Sequence, residues 1–125
     1  MIAADSSSVI AYLEGERAKD TDAIAQASAS LELRLPPAVL VELMGRGASD
    51  AAYARMAEKA TLLPLTEGYW LRARQTRRLI LSKGLRARAV DAMVAQCCID
   101  LDIPLIARDG DFRHFAQWCG LKLAV

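Results

Sequence analysis

Five carboxylates sit where this chain could gather them around a cation: Asp5, Glu42, Asp91, Asp109 and Asp111. Asp5 directly follows the apolar run Ile2-Ala3-Ala4, and Asp109 follows Leu105-Ile106-Ala107 after one intervening residue. If both runs are strands of a parallel sheet, both acids stand at strand carboxyl ends, where open α/β sheets bind ligands. Asp91, near the start of one helix, and Glu42, inside another, reach the same edge if those helices begin or pass there. Carboxylates gathered without cations repel one another and resist ionising, so a positive ion is their expected partner. The expected ion is hard, Mg²⁺ or alternatively Mn²⁺, held by oxygen with some water retained. Zinc is disfavoured because His114 is the single histidine and the adjacent Cys97 and Cys98 point to different sides of a helix. A hard ion can acidify a coordinated water and stabilise charge on a phosphoryl oxygen, which is the chemistry of phosphodiester hydrolysis.

Such chemistry needs a polyanion brought to an acidic site. The net charge of +1 conceals an uneven distribution. Between Glu67 and Asp91 lie Arg72, Arg74, Arg77, Arg78, Lys83, Arg86 and Arg88 with no acid among them. Without those seven, 9 of the 16 basic residues face 15 acids, leaving the rest of the chain near −6. A basic segment in an acidic body suits sequence-independent, salt-dependent contact with a nucleic-acid backbone. Taken alone, such a run is also an ordinary solvated helix face. Arg86 and Arg88 from this segment, with Ser7 and Arg108 beside the acids, are the candidate substrate contacts. Arg108 is placed either to steer phosphate or to pair with the acids.

The elements that would position these groups follow from periodicity and punctuation. With 125 residues, 54% of them hydrophobic and 25% charged, the chain is predicted to form one domain spanning 1–125. Seven Gly, four Pro and no low-complexity tract exclude disordered and collagen-like classes. Strands are predicted over 1–4, 31–35, 61–65, 105–107 and 121–125, with Pro64 assigning the third to an edge. Helices are predicted over 6–13, 20–29, from Pro37 to Gly45 or Gly47, 49–60 opening at Ser49, 67–82 closed by Gly84, 88–101 and 111–118. The 67–82 helix carries Trp70, Ala73, Arg77 and Ile80 or Leu81 on one stripe at i, i+3 and i+4 spacings. The 88–101 helix should bury Val90, Met93 or Val94, Cys97 and Leu101, with Asp91 beside that stripe. Short apolar strands alternating with helices imply an α/β fold of three layers around a central, mainly parallel sheet.

No apolar run approaches the about 18 residues of a membrane span, and the opening Met-Ile-Ala-Ala-Asp carries no secretory signal. Three cysteines, an odd number, suit free thiols, and a cytoplasmic protein is expected.

With these residues assembled, the chain resembles the PIN-domain family, and in length and order of motifs it is similar to VapC-type toxin ribonucleases of bacterial type II toxin-antitoxin pairs. The resemblance covers nearly the whole chain. It is carried by Ile2-Ala3-Ala4-Asp5-Ser6-Ser7, Val41-Glu42-Leu43, Ala89-Val90-Asp91-Ala92-Met93-Val94-Ala95, and Leu105-Ile106-Ala107-Arg108-Asp109-Gly110-Asp111-Phe112, in that order. It implies a PIN-like fold, metal-dependent endoribonuclease activity, dimerisation, and inhibition by a cognate VapB-like antitoxin that blocks the acidic groove. It implies Asp5 and Asp91 as the main metal ligands, Glu42 binding directly or through water, and Asp109 or Asp111 completing the site. The family often has Thr or Ser where this chain has Ala107, so a supporting hydroxyl is missing at that corner.

Other residues have ordinary explanations. Ser6 and Ser7 can cap the first helix, and Asp100 and Asp102 fit surface turn positions. His114 suits a helix surface, since no nucleophile motif accompanies it. Trp70 and Trp118 suit a core or an interface rather than base stacking. Two non-enzymatic readings remain. One is a receiver-like phosphoacceptor switch, which usually needs a lysine near a late strand; Lys83 and Lys122, the lysines of the second half, follow no clear central strand. The other is a PIN scaffold that binds RNA or a partner without cutting.

Overall fold

The computed structural model describes residues 1–45, 47 and 50–125. Chain order is β1 (Ile2–Ala4), α1 (Ser6–Leu13), α2 (Lys19–Ala29), β2 (Leu33–Arg34), α3 (Pro37–Glu42), α4 (Asp50–Lys59), α5 (Tyr69–Ser82), α6 (Ala89–Leu101), β3 (Leu105–Ile106) and α7 (Phe112–Cys119). The Ser49 start expected for the fourth helix lies outside the described residues.

Every strand pairing is parallel, in the order β2-β1-β3. Ile2 and Ala3 pair with Leu33 and Arg34 on one side, and Ala3 and Ala4 pair with Leu105 and Ile106 on the other. The strands expected at 61–65 and 121–125 shrink to single parallel bridges, Leu35 with Leu62 and Leu105 with Leu123. Both lie at sheet edges, and Pro64 has no N–H to extend the first. Helices flank the sheet in a three-layer α/β/α arrangement. On it α1 packs against α2, and α2 against β2 and β3, while α6 packs against α3, α5 and α7.

The short strands run through the centre of the core. Ala3 and Ala4 in β1 and Leu105 and Ile106 in β3 are fully buried, as expected of a parallel sheet covered on both faces. Phe112 and Phe115 from α7, Ile24 from α2, Ile80 from α5 and Val94 from α6 complete the core around them. α3 stops at Glu42, earlier than expected, because Leu43 turns to extended geometry and buries its side chain. Gly120, at φ +81°, ends α7 in a left-handed conformation that favours glycine.

Two predicted stripes are corrected by the packing. In α5 the buried residues are Tyr69, Ala73 and Ile80, whereas Trp70 is 64% exposed and Arg77 and Leu81 are exposed. Ala73 and Ile80 are buried as expected, and Tyr69 takes the place expected of Trp70, its hydroxyl reaching across to donate to the Met93 carbonyl at 2.6 Å. In α6 Ala92, Val94, Ala95, Gln96, Cys97 and Cys98 are buried, while Val90, Met93 and Leu101 are half-buried. A helix enclosed by three others has no single inward face.

Asp100, expected at a surface turn, is tied into the α5–α6 contact. Arg72 forks onto it at 2.9 and 2.8 Å, Gln96 donates to it at 2.7 Å, and Thr76 in turn donates to Gln96. The guanidinium holds the Asp100 carboxyl below its usual range and answers the unfavourable placement of an acid at a helix C-terminus. Asp102 is an exposed turn residue paired with Lys122 at 2.8 Å. Among the described residues, no helix is long and apolar enough to cross a membrane.

Candidate metal centre

The structure brings Asp91, Asp109 and Asp111 together, while Asp5 and Glu42 lie outside that group but near enough for their charges to act on Asp91. Asp5 leaves β1 with its N–H donating to the Ile106 carbonyl at 2.9 Å, which locks the ends of β1 and β3 together. Its side chain is buried, and the Ser7 hydroxyl donates to Oδ2 at 3.1 Å. Burial raises the Asp5 carboxyl above its ordinary range; the Ser6 and Ser7 groups nearby oppose that rise, and the Glu42 charge adds to it. Ser6, expected first as a cap that could also touch the site, donates to Glu42 Oε1 at 2.9 Å and brings the end of α3 to the start of α1. Asp5 itself makes no side-chain capping bond to α1, so its carboxylate is free for other work.

Asp91 occupies the first turn of α6. Its Oδ2 is buried and has no hydrogen-bond partner among the described residues. Its carboxyl is pushed up to about 6, first by burial and then by the charges of Asp5 and Asp109; Arg88 opposes the shift and Glu42 reinforces it. Oxygens of Asp91, Asp109 and Asp111 all lie within 4.8 Å of one another. Asp109 is in the loop after β3, and its Oδ1 accepts the Asp111 N–H at 2.9 Å. Arg86 Nε lies 3.5 Å from Asp111 Oδ2.

The donor set fits a hard divalent cation. Every candidate ligand is a carboxylate oxygen, and the orphaned Asp91 Oδ2 is a buried group whose desolvation a cation would offset. Softer ligands are engaged elsewhere. The His114 Nδ1–H donates to the Arg86 carbonyl at 3.1 Å, and burial pushes the Cys97 thiol up to about 11 and the Cys98 thiol higher still.

The basic candidates divide. Arg86 and Arg88 stand beside the acids, as their effects on Asp111 and Asp91 show. Arg108, expected either to steer phosphate or to pair with the clustered acids, instead forks onto Asp20 at 2.7 and 3.1 Å, with Glu16 at 3.0 Å. Arg72 is spent on Asp100, the Arg77 Nε–H donates to the Ala87 carbonyl at 2.9 Å, and Lys83 sits over the Trp118 ring at 3.7 Å. Asp20 escaped the sequence reading. An acid in the first turn of a helix is already accounted for by the helix dipole, so nothing in the sequence marks it as buried and paired.

A model of the PIN-domain family matches residues 2–117. The chain belongs to the PIN-domain family. Among curated proteins, none matches this PIN domain. Among solved structures, it is similar to FitAcB from Neisseria gonorrhoeae, with TM-score 0.74 and 17% identity over 98% of this chain and 96% of that one. It is also similar to FitAB bound to an IR36 DNA fragment, with TM-score 0.72 and 16% identity over 98% of this chain and 93% of that one. At these identities the likeness is one of fold, and it agrees with the three-layer PIN-like architecture. The receiver-like alternative falls with the family match.

Proposed function

We propose that this PIN domain is a divalent-cation-dependent endoribonuclease of the VapC type, the toxin of a toxin-antitoxin pair. The observation that carries the reading is the buried, unpartnered Asp91 Oδ2 among carboxylates that raise one another's proton affinity. Asp5, Asp91, Asp109 and Asp111 would hold the ion, Mg²⁺ first and Mn²⁺ as an alternative, with Glu42 oriented by Ser6 beside them. When bound, the ion supplies Lewis acidity toward water and the scissile phosphoryl group.

The rest is done by the chain's own groups. Arg86 and Arg88 counter phosphate charge at the edge of the acidic site, and Ser7, which donates to the Asp5 carboxylate, orients it. Free thiols at Cys97, Cys98 and Cys119 accord with a cytoplasmic setting, where RNA is available.

A VapB-like antitoxin is the proposed inhibitory partner. A cleft of about 440 Å³ between α1, α2 and α4, walled by Tyr12, Leu13 and Met56 and flanked by Arg34, Arg55 and Lys59, would accept an apolar segment bearing acids. Homodimerisation is proposed on the exposed apolar residues Val41 and Trp70, which line a second cleft with Leu65 and Met93. The FitAB relative is bound to DNA; for this chain RNA is proposed as the substrate.

The deciding experiment incubates the purified protein with total RNA, with Mg²⁺ or with EDTA, and maps new 5′ ends. Mg²⁺-dependent ends that Asp91→Asn does not produce support the proposal. RNA binding without scission in the presence of Mg²⁺ would establish the scaffold reading instead.

A further inference from the structure

Behind the carboxylate cluster the fold keeps another buried acid. Asp20, near the start of α2, is 6% exposed, and both of its oxygens are engaged. Oδ2 accepts from the Ser8 hydroxyl at 2.8 Å and from Arg108 Nε at 2.7 Å, and Oδ1 accepts from Arg108 Nη2 at 3.1 Å. This two-bonded fork fixes a guanidinium in both direction and plane.

Its two partners belong to the segments that carry the proposed ligands. Ser8 lies on α1 three residues after Asp5, and Arg108 immediately precedes Asp109. The backbone bond from Asp5 to Ile106 aligns the strand ends but leaves the following loop unfixed by the sheet. Within that loop the Asp109–Asp111 bond is local, and Arg86 meets Asp111 at only 3.5 Å. The Asp20 fork is therefore the strongest tether between this loop and the body of the domain. Arg108 is one-third exposed, so the pair is only partly desolvated and adds some stability of its own. Beyond that it contributes a fixed geometry.

We propose that Asp20 and Arg108 are positioning residues for the cation site, holding the loop after β3 so that the Asp109 carboxylate stays beside Asp91. This rests on the reading of the acidic cluster as a cation site and deepens it. Partners outside the ligand shell of metal sites typically alter metal affinity by about 10- to 100-fold when removed.

The test is Mn²⁺ titration of the full chain, following free Mn²⁺ by electron paramagnetic resonance, with thermal melts in EDTA alongside. Asp20→Asn and Arg108→Gln should each weaken Mn²⁺ binding by about tenfold or more. Arg108→Lys, which keeps the charge but loses the fork, should recover part of that loss. Glu16→Gln, on the exposed side of Arg108, should stay within about twofold of the parent. Arg108 is one-third exposed, so its variants keep the comparison available if Asp20→Asn does not fold. Parental Mn²⁺ affinity in Arg108→Gln overturns the positioning role while leaving the cation site standing. A parent that binds no Mn²⁺ overturns the cation site and the positioning role together.

Discussion

Replacing Asp91 with Asn removes one charge from the acidic cluster while keeping the shape of the side chain, and the consequence for stability can be worked through. The folded state raises the Asp91 carboxyl from 3.8 to about 6. A group whose folded pKa is raised contributes stability that is fully present below its unfolded value near 3.8 and is lost as pH rises through 6. At pH 7.5 without a cation, the ionised carboxylate therefore costs the fold about 3 kcal/mol, at about 1.4 kcal/mol per pKa unit. Relaxation of a partly exposed group reduces this to about 2 kcal/mol. Asn does not carry this cost. In EDTA at pH 7.5, Asp91→Asn should melt about 6 °C higher than the parent, at about 3 °C per kcal/mol for a chain of this size. The difference should shrink toward zero at pH 4, where the parent's Asp91 is protonated in the folded state. Added Mg²⁺ should raise the parent's melting temperature and leave the variant's nearly unchanged. Circular-dichroism melts at the two pH values, with and without Mg²⁺, check all three expectations. A variant that in EDTA at pH 7.5 melts at or below the parent would refute the account of Asp91 as a buried charge kept for a cation.

Four further outcomes are expected. Asp91→Asn should lose at least about a hundredfold of Mg²⁺-dependent RNA cleavage in an initial-rate assay, because the ligand with the unpartnered buried oxygen is gone. Arg86→Ala with Arg88→Ala should weaken RNA binding and flatten the plot of log affinity against log salt by about 1 to 2 units, read by fluorescence anisotropy. Asp20, whose carboxyl Arg108 holds down at about 2 against an ordinary 3.8, contributes stability present above 3.8 and lost as pH falls toward 2; urea unfolding should show about 2 kcal/mol disappearing over that window in the parent and not in Asp20→Asn. Phe112→Ala, at a fully buried position, should cost about 3 to 5 kcal/mol in the same unfolding assay, because the dense core closes the cavity only in part.

Much of the architecture was legible along the chain because its signals are local. The apolar runs at 2–4 and 105–106, the serines after Asp5 and Gly84 after α5 act over a few residues, and they mark strand ends and helix limits in a parallel α/β fold. The positions of Asp5 and Asp109 followed from that topology, since both stand just past strand carboxyl ends. Less legible were helices packed on several sides. The burial of α6 on several sides and the choice of Tyr69 over Trp70 in α5 depend on neighbours far away in sequence, and periodicity describes only helices with one inward face.

Electrostatic partnership was the least legible property. The sequence by itself determined which groups can carry charge, how they are spaced, and that a three-layer sheet would bring the strand-end acids to one edge. Only the tertiary structure decided which charges meet. It sent Arg108 to Asp20 and Arg72 to Asp100, gave Ser6 to Glu42, and left Asp91 Oδ2 buried without a partner. The reason is physical: Coulomb energy and desolvation depend on distances of a few ångströms and on the surrounding dielectric, and both are set by packing between segments as far apart as Asp20 and Arg108.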